Sequence, residues 1–396
     1  LIFWHAWPSP DQHILAKLVD RYNQSHPHTR IVPQAMPLAS LVRELRTAAL
    51  VGGGPHMVLL QSHMLGTLAQ DGLVLPIDGY VSSAQRAQLL APALQGAELA
   101  DAAGETHLYG LPMTFDTLVF YYSKAHVTTP PTTTQELRHV AHRLTNTTTQ
   151  PPVWGLAYTL SFDKTIGYLP AFDGAVFDSE GNLVLGEAGR EGTERWLAWL
   201  LSLRHDQELL AINDSITVDS TLKAQKALMT IDWAHTLPTY HALWGDDLGV
   251  ALLPGVADTG QRPRPYVQST LISLCARANE PNEQEAGMDF MRYLVSQEAQ
   301  HILLKAGKQP TLLPLDLEEE SPMMHHATIF RAQAQQGIPM PNRSIDNVVV
   351  RDELERMQLT VLRGLTNPAN AVTHAHTALR ERLAPYGTFR HGGPDP

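Results

Sequence analysis

Five side chains fall at the ends of strand-like segments and could grip a hydroxylated ligand: Trp7, Gln61, Asp116, Trp233 and Gln268. An indole face covers the apolar C–H face of a sugar ring, and carboxylates and amides hydrogen-bond neighbouring hydroxyls. Asp116 is the most pointed of the five. It opens the apolar run TLVFYY (117–122), whose β-branched and aromatic residues predict a buried strand, just past a Gly-Leu-Pro turn. Nothing basic stands in that segment before Lys124. Taken singly, each residue has a plainer role: Trp233 fits a core, Asp116 a turn cap, and Gln61 and Gln268 an exposed surface.

Other chemistry has no foothold in the sequence. There is no GxSxG elbow, HExxH, CxxC, EF-hand loop or GxxxxGK[ST] phosphate loop. Gly52-Gly53-Gly54 lacks the Lys and Ser/Thr of a phosphate loop and predicts a helix stop. The 19 histidines are scattered, and His325-His326 and His374/His376 lack the i, i+4 spacing that puts two imidazoles on one helix face. Neither a metal nor a cofactor is expected. Glu318-Glu319-Glu320 predicts a solvated turn.

The elements that must position the five residues begin with a regular rhythm. A strand at Leu1–Trp4 precedes Ser9-Pro10-Asp11-Gln12, a capping box with proline at the first helical position. Ile14, Leu15, Leu18, Val19 and Tyr22 follow at helical spacing. Then come strand RIVPQAM, a helix through Leu41, Val42, Leu45 and Ala49, and strand HMVLLQ. This β-α-β-α-β order predicts a parallel sheet with crossover helices, whose ligands sit beyond the carboxyl ends of the strands. His5-Ala6-Trp7 and Gln61-Ser62-His63 fall there. Further along, TTPPTTT and NTTTQPP read as loops flanking a helix at 135–144, and LKAQKALMTIDWA as a helix running into a strand. LGVALLPG and LISLCARA read as strands, 285–306 as one long helix stopped by Gly307, and 352–365 and 370–384 as two more.

At 396 residues the chain has room for two domains, and its 43% hydrophobic and 17% charged content is that of a soluble globular protein. The net charge of −11, with no basic stripe, argues against nucleic acid and anionic membranes. The lone Cys275 excludes an internal disulfide and predicts a buried thiol. The chain opens without Met, which suggests a mature or trimmed form whose export signal is missing.

The order of segments resembles the extracellular solute-binding proteins of the maltose-binding type (family 1), which deliver sugars to ABC importers. GPHMVLLQSHMLGTLAQDGLVLPIDGY is similar to the family's strand, cleft loop and helix, and GETHLYGLPMTFDTLVFYYSKAHVTTPPTTTQEL to its long central signature. AFDGAVFDSEGNL, KAQKALMTIDWA, LGVALLPG, YVQSTLISLCARA, KQPTLLP and GIPMPN follow in family order. Departures are Ser123 in the YNK signature, Asp232 for the usual glycine before Trp233, Asp173-Gly174-Ala175 for the GG loop, and Leu60 for a cleft aromatic. The last removes a stacking platform, which counts against a long maltodextrin.

The resemblance implies an α/β, two-lobed periplasmic-binding-protein-like (type II) fold. Each lobe would be a mixed, mostly parallel sheet flanked by helices, the two hinged around a ligand cleft. Residues 1–114 and 268–315 would form the N-lobe, 115–267 and 316–396 the C-lobe, with crossings near 113–115, 262–267 and 312–318. The N-lobe would offer Trp7, Gln61, Ser62, His63, Gln268 and Ser269. Asp116 would stand at the first crossing, its oxygens left free by the absence of a basic neighbour. The C-lobe would offer Phe162, Asp163, Lys164 and Trp233, with Arg343 as a further partner; Asp163 and Lys164 pairing with each other is the alternative. The implied protein is a monomeric, non-enzymatic receptor outside the cytoplasm, periplasmic or lipid-anchored. It would carry a mono- or short oligosaccharide to the transmembrane subunits of an ABC permease. Left open are a polyamine, glycerophosphodiester or iron ligand, a sensor or adhesin role, and a glycoside hydrolase pairing Asp116 with Asp163 or Asp173.

Overall fold

Met57–Gln61 (MVLLQ) is buried at four of its five residues, the signature of a strand covered on both faces. It lies beside Ile2–His5, which pairs in parallel on its other side with Val32–Ala35. The opening β-α-β-α-β is therefore parallel, with the helices Ser9–Ser25 and Leu41–Leu50 as its crossovers. The computed structural model describes residues 1–101, 103–315 and 322–386.

This sheet continues with antiparallel neighbours. Tyr266–Leu274 pairs with both Met57–Gln61 and Leu111–Asp116, and Gln309–Pro310 closes the edge against Leu111–Asp116. The second sheet is antiparallel, with Leu118–Ser123 at its centre between Met229–Trp233 and Leu248–Ala251. Ala157–Thr159 and Leu210–Ile212 form a parallel pair, with a Trp154–Ala227 bridge beside it. The antiparallel part departs from the mostly parallel sheets expected. Tyr266–Leu274, the middle strand of this part, follows Leu248–Ala251 of the second sheet with no helix between them, and parallel pairing needs such a crossover.

One residue separates the two sheets. Asp116 ends a strand of the first and Leu118 begins the central strand of the second, with Thr117 fully buried between them. A cluster of Phe115 and Val267 with Val119, Tyr121 and Val250 bridges the two sheets, and each sheet also has a core of its own. One runs from Phe3 through Met113 and resumes from Leu271 to Leu303; the other gathers Leu118 to Tyr266 with Met340 to Leu383.

Three local readings change. The first helix starts at Ser9 with Pro8 as its N-cap and no side-chain cap bond, so the Ser9–Gln12 capping box does not form. The long helix expected over 285–306 is two, Pro281–Leu294 and Gln297–Lys305; Ser296 caps the second by accepting from the Ala299 N–H. The strand read at LISLCARA begins earlier, at Tyr266, and ends at Leu274, leaving Cys275 buried just beyond it. The part of the third crossing at 316–318, the lobe boundary at 316 and the Glu318–Glu320 turn lie outside the described residues.

Candidate functional site: the cleft at the sheet junction

Asp116 is held by its position at the junction. Its strand pairs with Tyr266–Leu274 so that Gln268 lies directly opposite. Its carboxylate is not free of basic neighbours. The Thr117 N–H (3.0 Å) and the His235 N–H (3.1 Å) both donate to Oδ1, and the His235 ring Nδ1 lies 2.5 Å from Oδ2. His235 comes from the turn after Met229–Trp233, where Trp233 pairs with Leu118. The hydrogen bond to Asp116 raises the imidazole's pKa above its ordinary 6.5, against the opposing effects of burial and of the Lys308 charge. A carboxylate has about four acceptor positions, so three bonds leave one for a ligand hydroxyl. The Asp116 side chain is 19% exposed and that of His235 59%.

A cavity of about 480 Å³ opens over this pair. It brings together four of the residues picked from the sequence: Trp7, Gln61, Asp116 and Gln268. His235, Lys308, Asp11 and Gln309 also line it, and sequence reasoning missed all four. The Lys308 ammonium pairs with Asp11 at 2.7 Å and stands 5.4 Å from the centre of the Trp7 ring. The only available signals were Lys308 following the Gly307 helix stop and Asp11 in the first turn of a helix beside Trp7. A second cavity, about 700 Å³, shares Trp7, Pro8, Gln61 and Thr270 with the first and is otherwise lined mostly by Met36, Pro37, Leu38, Leu59 and Leu60. Both lie at the carboxyl ends of Ile2–His5 and Met57–Gln61, and the second also at that of Val32–Ala35, where open α/β sheets bind ligands.

His63 reaches the same floor through Gln268, its Nδ1 lying 3.2 Å from the Gln268 amide nitrogen. Burial is the main cause of its lowered pKa, with the nearby Arg351 charge adding to it. Asp163 is bound by that arginine: Arg351 Nη2 donates to Oδ2 at 2.7 Å. Trp233 is half-buried, packs against the second core and lines neither cavity.

Five expected site residues have other work. Ser62 and Ser269 are fully buried; the Ser269 N–H donates to Ser62 Oγ at 3.3 Å, and Ser269 Oγ donates to the Ala93 carbonyl. They tie the strand ends together. Phe162 is a core residue. Lys164 pairs neither with Asp163 nor with solvent: its Nζ lies 2.6 Å from Asp232 Oδ1, the two side chains being 11% and 7% exposed. The residue that replaces the family glycine is thus an ion-pair partner, and Tyr240 Oη donates to its other oxygen at 2.7 Å. Arg343 is 3% exposed and forks onto Asp346 at 2.8 and 3.0 Å, which leaves it no open face.

Away from the cleft, His142, Asp206 and Glu208 approach one another closely enough to ligate a metal ion. Arg138 already pairs with that Asp206 carboxylate at 2.5 Å, and a guanidinium there opposes a cation. Among the described residues no helix is long and apolar enough to cross a membrane.

Comparison with known proteins fits this architecture. A maltotriose-binding protein of Pyrococcus abyssi is 24% identical over 299 residues, 75% of this chain but 62% of that relative. The maltose/maltodextrin-binding domain of Bdellovibrio bacteriovorus bound to maltotriose superposes with a TM-score of 0.75 at 24% identity, over 97% of this chain and 99% of its own. A cyclo/maltodextrin-binding protein complexed with maltotetraose gives 0.79 at 22%, over 99% and 98%. A Thermus thermophilus maltotriose-binding protein gives 0.75 at 20%, over 97% and 100%. At these identities the likeness establishes the type II fold. The model of the bacterial extracellular solute-binding proteins matches residues 17–317, more than half of the sequence, and the chain belongs to that family.

Proposed function

We propose that this protein is an extracytoplasmic receptor that binds a neutral mono- or short oligosaccharide in the cleft and presents it to the permease of an ABC importer. The observation that carries this is Asp116: a carboxylate at the one-residue junction between two sheets, beside a cavity that also holds Trp7, Gln61 and Gln268. Charged lining groups occur as the pairs Asp116–His235 and Asp11–Lys308, so the cavity suits an uncharged guest. The names of the maltodextrin-binding relatives support the ligand class. We take residues 1–114 with 268–315 as one lobe and 115–267 with 316–396 as the other. A ligand touching both walls binds the closed form better and shifts the population toward it. The working unit is a monomer, periplasmic or lipid-anchored, and the reaction is binding alone. A hydrolase would need a second free carboxylate across from Asp116. Asp163 and Asp173 are engaged by Arg351 and Arg195. A thermal-shift screen of neutral sugars, charged sugars and polyamines tests the reading. Stabilisation by neutral sugars, lost in Asp116→Asn, is expected; stabilisation by polyamines alone contradicts it.

A further inference from the structure

The two cavities differ in kind although they share a wall. The 480 Å³ chamber is polar, with Asp116, His235, Asp11 and Lys308 in its lining. The 700 Å³ chamber holds no charged group; beyond Gln12 and the shared Gln61 and Thr270 its lining is apolar. Leu38 lines this second chamber and is 45% exposed. Trp7 belongs to both chambers, and Lys308, which stands over its ring, lines only the polar one. In the 700 Å³ chamber, Trp7 apart, the side chains that can bond a sugar's hydroxyls are Gln12, Gln61 and Thr270 alone, whereas Met36, Leu38 and Leu60 offer only apolar surface, which an alkyl or aryl group would cover favourably.

We infer that the cleft takes a glycoside with an apolar aglycone, its sugar in the polar chamber and its alkyl or aryl group against Trp7, Met36 and Leu38. This rests on the carbohydrate reading above and narrows it. The test compares maltose with n-hexyl β-maltoside, and glucose with n-hexyl β-glucoside, by calorimetry on the wild-type chain and on Leu38→Asp, Met36→Gln and Leu50→Asp. Leu50 is 87% exposed on the helix Leu41–Leu50 and lines neither chamber. Burying part of a hexyl chain gives the hexyl glycosides an affinity about tenfold or more above their parent sugars. Leu38→Asp and Met36→Gln erase most of that gain, and Leu50→Asp keeps it. Equal affinity for sugar and hexyl glycoside overturns the inference and leaves the carbohydrate reading standing. So does a gain that survives both Leu38→Asp and Met36→Gln, because the chain then lies elsewhere. Binding of none of the four ligands overturns the carbohydrate reading, and the inference falls with it.

Discussion

Two acid–base pairs flank the strand Leu118–Ser123 and its neighbour Met229–Trp233, and they serve opposite ends. Lys164–Asp232 is nearly buried and finished: Tyr240 and the Trp233 N–H take up further Asp232 lone pairs. Asp116–His235, each two residues outside an end of those strands, at Leu118 and Trp233, is open on one side and faces a cavity. The first pair locks the second sheet to the Phe162–Thr165 helix. The second holds a carboxylate oriented and one acceptor short of saturation. Burial is what separates the structural ion pair from the proposed recognition group, because each is a carboxylate paired with a basic side chain.

The largest effect follows from breaking the buried pair. Asp232→Ala leaves Lys164 uncompensated and Tyr240 without its acceptor, and costs about 3–5 kcal/mol of stability; urea unfolding measures it. Asp116→Asn is expected to change stability by less than about 1 kcal/mol, since its pair is partly solvated. The same change weakens sugar binding by about 1.5–3 kcal/mol, the worth of a charge-assisted hydrogen bond, read by calorimetry. If both substitutions unfold the chain equally, the distinction fails.

The two indoles sharpen the contrast. Trp7 lines both cavities and Trp233 neither, so Trp7→Ala weakens ligand binding by about 1–3 kcal/mol and Trp233→Ala by less. A reversed order in titrations of the two variants would move the stacking platform to the second lobe.

The smallest effect is that of pH. His235 is raised above 6.5 in the folded chain, so it binds a proton more tightly folded than unfolded. Its stabilisation is fully present below 6.5 and is lost as pH rises through the higher folded value. With its side chain 59% exposed, that contribution is under about 1 kcal/mol after solvent screening. The stability gap between wild type and His235→Gln therefore narrows as pH is raised, in urea titrations across the neutral range. A gap that widens with pH gives the proton the opposite sign.

Much of the architecture was legible because it is written in local patterns. The alternation of strand-like runs and helical spacing over the first sixty residues is enough to specify parallel strands, and it puts Trp7 and Gln61 at their carboxyl ends. Asp116 was legible for the same reason, as a charge interrupting an apolar run. What stayed hidden depends on distant partners. His235 lies 119 residues from Asp116, and nothing local in DWAHTLP marks it. Lys308 meets Asp11 across 297 residues, although each sits in a readable element. Lys164 was read against its sequence neighbour Asp163, while the fold gave each a different partner. Arg343 did carry a local signal: Asp346 three residues on, the spacing of an ion pair within one helical turn. The helix break at Ser296 was masked because Ile302 falls on the continuation of the Met291–Leu294–Val295 stripe, although the second helix buries Ala299, Gln300, Leu303 and Leu304.

The central claim is that two lobes close over a neutral sugar gripped at Asp116. Small-angle scattering of the wild-type chain and Asp116→Asn, each with and without saturating maltotriose, tests it most directly. The account predicts a smaller radius of gyration for the wild type on adding sugar and, at the same concentration, little change for the variant. Maltotriose binding to the wild type without compaction, or equal compaction in both chains, would contradict it.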